Sequence, residues 1–276
     1  MPLRPDSATA IDQHGFAVRF EWGEAGARTL APITDVLIVV DVLSFTTAVD
    51  VAVARNAHVF PYPSGPREDE AAAFATRIGA ILAVDRRQVS AAHPFSLSPA
   101  SLATVPAGTR LVLPSPNGSA ISAVAASLHR ALFAGCLRNA TAVAAAATAA
   151  GRTVGVIAAG ERWPDRTLRP SVEDLLGAGA IIAALGVGDR SPEAEAAVGA
   201  FASVAAHLAP ALWSCASGHE LVALGFPDDV RLAAERDVSR VAPHFVAGAY
   251  TVGELTQETL PRRSDERPTW TRYSPD

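Results

Sequence analysis

Asp41 closes the aliphatic run Val36-Leu37-Ile38-Val39-Val40, and Ser44, Thr46 and Thr47 follow closely. A carboxylate at the end of a buried strand can ligate Mg²⁺ or accept a proton, and hydroxyls at the next helix start can bind phosphate oxygens. The purely structural alternative has Ser44 or Thr46 capping the helix while Asp41 bonds to loop amides. Three more polar clusters stand in equivalent places. Pro116-Asn117-Gly118-Ser119 follows the run Arg110-Leu111-Val112-Leu113; Asn-Gly turns readily, and a following helix offers free N–H groups to an anion. Arg138-Asn139 follows Ala131-Leu132-Phe133-Ala134, where Asn139 is a good N-cap with or without a ligand. After the run 153–158 come Gly160-Glu161-Arg162-Trp163 and then Ser171-Val172-Glu173-Asp174. Ser171 and Asp174 fit a capping box, but Glu173 adds a second carboxylate where capping needs only one, and paired carboxylates suit Mg²⁺.

The elements that would position these groups alternate. Residues 16–22 alternate apolar and polar like an edge strand, whereas 36–43 are continuously aliphatic, the pattern of a strand covered on both faces. Further strands are expected at 58–62, 81–84, 110–113, 131–134 and 153–158. Helices are expected at 46–56, 68–78, 119–129, 139–150, 172–186 and 192–208. This rhythm predicts a layered α/β/α fold with a largely parallel or mixed sheet, whose ligands bind beyond the carboxyl ends of the strands. The stretch 85–108 is the least regular and is expected to loop over the site. Residues 1–260 are expected to form one α/β domain, or two packed lobes split near 150, with 261–276 as a polar tail.

Composition sets limits on function. The chain is 49% hydrophobic and 18% charged, enough for a large core and against global disorder. A net charge of −5 gives no electrostatic case for nucleic acid or a polybasic membrane contact. The chain has no Lys, so an anion site must draw on Arg, backbone amides or a metal. Cys136 and Cys215 lack CxxC partners, which argues against a thiolate metal site or a disulfide framework. The segment Met1-Pro2-Leu3-Arg4-Pro5-Asp6 lacks an apolar signal core, and Arg, Asp, Pro or Gly interrupts each apolar run, so a cytoplasmic location is expected. GxxxxGK[ST], GxGxxG after the first strands, HExxH and GxSxG are absent.

Taken in order, the clusters resemble the 2-phosphosulfolactate phosphatase (ComB-like) family. Asp41-Val42-Leu43 with Thr46-Thr47 is similar to its DVLRATT segment, Asn117-Gly118-Ser119 to its TNGT turn, and Asn139-Ala140 to its NA pair. Ser171-Val172-Glu173-Asp174-Leu175 with Ala178-Gly179 resembles EDLxxAG. Ser217-Gly218-His219-Glu220-Leu221, Gly225, Asp228-Asp229-Val230 and Asp237 resemble its carboxyl-terminal string. Asp85-Arg86 and Ser98-Pro99 are similar to remnants of GER and GNSP. The resemblance spans roughly 35–245 and implies Mg²⁺-dependent release of phosphate from 2-phosphosulfolactate, a step of coenzyme M biosynthesis. The chain departs from the pattern at Ser44, which replaces the family Arg, and at Pro116, Ser96 and Leu97.

The expected site follows from both readings. Mg²⁺ bound by Asp41 with Glu173 or Asp174 would polarise a phosphoryl group and orient water. Asn117, the Gly118 and Ser119 amides, and Arg86 or Arg162 would hold phosphate oxygens, with Arg138 a further guanidinium able to stand in for the missing family Arg. Ser44, Thr46, Thr47, Asn139, Glu161, Ser217 and Gly218 complete the substrate-binding set, and Glu220 is a candidate orienting group or base. The expected partner is a small phosphorylated anion, with no nucleic acid or membrane, and a homo-oligomer is allowed. Two alternatives stand beside this: a non-catalytic anion sensor, favoured by Ser44, and a haloacid-dehalogenase-like enzyme with Asp41 as nucleophile, for which Leu43 replaces the second Asp.

Overall fold

The computed structural model describes residues 11–64, 68–128 and 131–252; the expected tail 261–276 lies outside the described residues. The described chain begins with β1 (Val18–Trp22), α1 (Gly23–Leu30), β2 (Val36–Val40), α2 (Phe45–Ala54), β3 (His58–Pro63), α3 (Glu68–Ile78) and β4 (Ile81–Leu82). Next come α4 (Pro99–Leu102), β5 (Arg110–Ser115), α5 (Gly118–Ser127), β6 (Ala131–Gly135), α6 (Ala140–Ala150) and β7 (Val154–Ala158). A short hairpin, β8 (Glu161–Arg162) with β9 (Leu168–Arg169), precedes five helices: α7 (Val172–Ala184), α8 (Pro192–Val204), α9 (Leu208–Ser214), α10 (Ala216–Ala223) and α11 (Pro227–Ala233). A second hairpin, β10 (His244–Val246) and β11 (Ala249–Thr251), closes the described chain.

Nine strands form one mixed sheet in the order β1-β7-β2-β6-β10-β11-β3-β5-β4. Two parallel blocks, β1-β7-β2-β6 and β3-β5-β4, flank the hairpin β10–β11, which pairs antiparallel to β6 on one side and to β3 on the other. By pairing alone the two blocks run in opposite directions. A sheet twists by roughly 20–25° per strand, and the path from β2 to β5 crosses five steps. Across that separation the Gly118 amide, at the start of the helix that follows β5, still reaches Asp41 at the end of β2.

β2 explains the layering. Its side chains alternate between two cores: Val36, Ile38 and Val40 face α6, α7 and α8, while Leu37 and Val39 face α1, α2 and α5. Every β2 residue is buried, which is why the run reads as aliphatic without a polar period. β7 lies between β1 and β2, so residues on both sides of position 150 share this sheet.

Three element boundaries differ from expectation. The run 81–84 pairs only at Ile81–Leu82, and Val84 makes an isolated bridge to Ser96. The stretch 85–108 contains a 3₁₀ turn, Arg86–Gln88, and α4. The helix expected at 192–208 leaves α geometry at Val204 and passes through a 3₁₀ turn into α9. The resulting stretch Pro192–Ser214 is long and apolar enough, by length and composition, to cross a membrane. In this fold Ala194, Ala197 and Phe201 are buried, and α8 approaches α7 so closely that a Cβ on Gly179 would lie 2.1 Å from the Ala197 carbonyl oxygen.

A buried ion pair ties the carboxyl-terminal segment to this framework. Arg138 Nε donates to Asp50 Oδ2 at 3.0 Å, and Nη1 donates to the Leu232 carbonyl and to Glu235. Asp50 is fully buried within α2. Replacing Arg138 with Leu therefore leaves an uncompensated buried carboxylate and is expected to cost about 3–5 kcal/mol. Urea unfolding checks this; the double change Arg138→Leu with Asp50→Leu should recover much of the loss.

Candidate functional site

At the end of β2 the chain turns sharply into α2. Thr46 latches the turn, its Oγ1 accepting from the Asp41 amide at 2.9 Å and donating to the Asp41 carbonyl at 2.8 Å. Thr47 Oγ1 donates to the Val42 carbonyl. The Asp41 carboxylate is held from two directions, with Oδ1 accepting from the Phe45 amide at 3.0 Å and Oδ2 from the Gly118 amide at 2.9 Å. One side chain thus supplies negative charge to the amino termini of both α2 and α5, the role a bound anion often takes. Gly118 permits this approach, since a Cβ there would lie 2.3 Å from the Phe45 ring and 2.8 Å from Asp41 Oδ2.

A second carboxylate fastens the neighbouring strand ends. Asp174, in the first turn of α7, accepts from the Val42 amide at 2.7 Å through Oδ1 and from the Gly160 amide and Ser171 hydroxyl at 2.8 Å through Oδ2. The expected capping box at Ser171 is absent: its hydroxyl donates to Asp174 and receives no helix amide. Asp174 tethers the end of β2 to the end of β7, and both of its oxygens are engaged in doing so.

Glu161 and Glu173 complete a group of four buried or largely buried carboxylates. Glu161 Oε2 accepts from Asn117 Nδ2 at 3.0 Å, and Asn117 Oδ1 accepts from Arg162 Nε at 3.2 Å. Glu173 is buried, approaches the Cys215 thiol, and repels the carboxylates of Asp41, Asp174 and Glu161. Burial pushes Asp41 up to about 6; the Phe45 and Gly118 amides pull against it, Glu173 pushes with it, and Arg86 offsets part of the rise. Burial, then the charges on Asp41 and Glu173, pushes Glu161 up to about 7 despite the Asn117 bond and Arg169. Asp174 is raised in the same way by burial, then by Asp41 and Glu173.

Two guanidiniums flank the group. Arg86 Nη2 donates to Ser44 Oγ at 2.6 Å and Nε to Asp229 Oδ2 at 3.2 Å, while its charge acts on Asp41. Arg169 Nη2 donates to Ser217 Oγ at 3.3 Å and attracts Glu161. Neither Arg169 nor Asp229 was placed in the site by the sequence: Arg169 lies before a helix start with no motif to mark it, and Asp229, although within the family-like Asp228-Asp229-Val230 segment, lies in a helix far down the chain and carried no assigned role. A cleft of about 120 Å³ opens beside Glu161, the one member of the group that lines it, together with Trp22, Gly23, Asn117 and Arg162 among others.

Several expected ligand-binding residues have other work. Ser119 Oγ donates to the Leu113 carbonyl, and Asn139 closes its own turn by accepting from the Cys136 amide and donating to the Ala134 carbonyl. The Gly118 amide is taken by Asp41. Gly218 answers a packing need, because a Cβ there would sit 1.8 Å from the Leu212 carbonyl oxygen. Glu220 is exposed on α10, and Arg138 belongs to the Asp50 pair. A buried hydroxyl or amide meets a carbonyl as readily as a ligand, so residue type alone did not separate the two.

The carboxylates and guanidiniums gather beyond strand ends, where α/β sheets place their ligand sites. The chain belongs to the 2-phosphosulpholactate phosphatase family, whose model matches residues 27–248 and so takes in the whole site. That membership places it among the phosphatases. No individual curated protein matches the chain.

Two outcomes follow. Gly118→Ala should destabilise by about 1–3 kcal/mol through overpacking, measurable by thermal or urea unfolding. Because the raised carboxylates hold protons that the unfolded chain would release, metal-free stability should fall as pH rises from about 4 to about 7 and then level off. A thermal-unfolding series across that range checks the sign.

Proposed function

We propose that the chain is a Mg²⁺-dependent phosphatase acting on a small phosphorylated sulfonate or carboxylate, with 2-phosphosulfolactate giving sulfolactate and phosphate as the reaction. The observation that carries this reading is the group of Asp41, Glu161, Glu173 and Asp174 between Arg86 and Arg169, in a chain of a phosphatase family.

The donor set fits a hard cation. It offers only carboxylate oxygens, whose proton affinity is raised first by burial and then by their mutual repulsion, both of which a bound cation would offset. Among the described residues no three His, Cys, Asp or Glu side chains form a ready coordination sphere, so a cation here would draw on one or two carboxylates and complete its shell with waters and substrate oxygens. Glu173 is the best-placed ligand, with Asp41 beside it, whereas the oxygens of Asp174 already accept three hydrogen bonds. A bound Mg²⁺ would supply positive charge to the phosphoryl oxygens and lower the pKa of an attacking water.

The chain's own residues supply the rest. Arg86 and Asn117 hold phosphoryl oxygens, and Arg169, with Arg162 at the cleft mouth, favours a second acidic group on the substrate. Water attacks phosphorus, the ester P–O bond breaks, and the alcohol product takes up a proton. Glu161, which lines the cleft, is the group best placed to exchange that proton. The reach of Arg86 to Ser44 returns a guanidinium to the place where the family Arg is missing, which weakens the case for a non-catalytic sensor.

Phosphate release from 2-phosphosulfolactate, measured with Mg²⁺ and after EDTA, tests the reading. Activity should vanish with EDTA, return with Mg²⁺, and fall at least 100-fold in Glu173→Gln, roughly the effect of removing one strong electrostatic contact to the transition state. Release that survives EDTA, or an unaffected Glu173→Gln, would sink the mechanism.

A further inference from the structure

Asp229 lies in α11, far along the chain from every strand-end cluster, yet it is almost completely buried, with 1% of its surface exposed. Both of its oxygens are engaged. Oδ1 accepts from the Ser98 hydroxyl and from the Ala100 amide at 3.2 Å, which fixes the loop before α4 against α11. Oδ2 accepts from Arg86 Nε at 3.2 Å. The Arg86 guanidinium also lies 5.6 Å from the centre of the Phe226 ring, a cation–π distance, and Nη2 touches Ser44 Oγ at 2.6 Å. Arg86 itself sits on a short 3₁₀ turn, Arg86–Gln88, in the least regular interior stretch of the chain. A long arginine on such a turn has rotamer entropy to lose before it can present a fixed face to a ligand. Here the carboxylate, the ring and the hydroxyl remove that freedom in advance.

The geometry points to Asp229 as the positioning residue that holds Arg86 against Ser44, so that a guanidinium from a distant turn serves as the phosphoryl-binding cation at the end of β2. This rests on the phosphatase reading above for the identity of the anion. Of the five N–H donors of a guanidinium, Nε and one on Nη2 are engaged among the described residues, and the others remain for an anion. The side chain is 19% exposed, so its outer edge is reachable while its inner edge is clamped. Ser98 acts one step further out by orienting the Asp229 carboxylate.

A double-mutant cycle separates this role from a merely structural one. Arg86→Gln should weaken binding of inorganic phosphate, measured by calorimetry in the presence of Mg²⁺, by roughly 10- to 100-fold. The same change should raise KM for 2-phosphosulfolactate more than it lowers kcat. Asp229→Asn should reproduce much of that loss alone and add little in the Arg86→Gln background, because it acts through Arg86. If Asp229→Asn fails to fold, Ser98→Ala replaces it in the cycle, with a smaller loss that again disappears once Arg86 is gone. Arg231→Gln, an exposed change on the same helix, should leave phosphate binding unchanged. The inference is overturned if the Asp229 or Ser98 effect adds in full to that of Arg86→Gln, or if Arg86→Gln leaves phosphate affinity intact. A cycle that holds in phosphate binding without any turnover supports the inference and overturns only the phosphatase reading.

Discussion

The Asp41 carboxylate receives one amide from the first turn of α2 and another from the first turn of α5, and this pair of hydrogen bonds joins the two parallel blocks of the sheet. Within the sheet the β3-β5-β4 block is linked to β2 through the short hairpin β10–β11, whose contact with each block is a single register pair, and the two blocks also share the core between α1, α2 and α5. A charged side chain accepting from two helix amino termini fixes the two strand ends together. That arrangement stabilises the carboxylate, yet burial and the neighbouring Glu173 leave its proton affinity raised. The fold therefore holds negative charge in a place where the protein alone does not fully balance it.

The remaining features of the site depend on that imbalance. Asp174 carries out a parallel task between β2 and β7, so two of the four carboxylates hold the frame, while Glu161 is tied to Asn117 and Glu173 lies buried beside the Cys215 thiol. Arg86 and Arg169 stand at the two flanks and have their own second partners, Asp229 and Ser217. An arrangement of this kind suits a ligand that brings its own phosphoryl oxygens and a cation together, since neither alone matches both the carboxylates and the guanidiniums.

Much of the fold was legible. β2 reads as doubly covered because it is aliphatic throughout, and α3 is found at 68–78 as its spacing predicts. Asp41 at a strand end, and Glu173 and Asp174 in a first helical turn, were also readable, because their positions follow from strand and helix boundaries alone. What the chain did not disclose locally was contact across long separations. Arg86 meets Asp229 over 143 residues, and Asn117 meets Glu161 over 44. Nor could residue type show that Ser119 and Asn139 turn inward to carbonyls, or that Gly218 is there for helix packing.

The central claim is that these carboxylates, Glu173 foremost, hold a divalent cation that a phosphate oxygen can join. Electron paramagnetic resonance of Mn²⁺ added in place of Mg²⁺ measures this without requiring turnover. The account predicts one tightly bound Mn²⁺ per chain, bound more tightly with inorganic phosphate present and largely lost in Glu173→Gln. Equal Mn²⁺ binding by Glu173→Gln and the unaltered protein, with no response to phosphate, would contradict it.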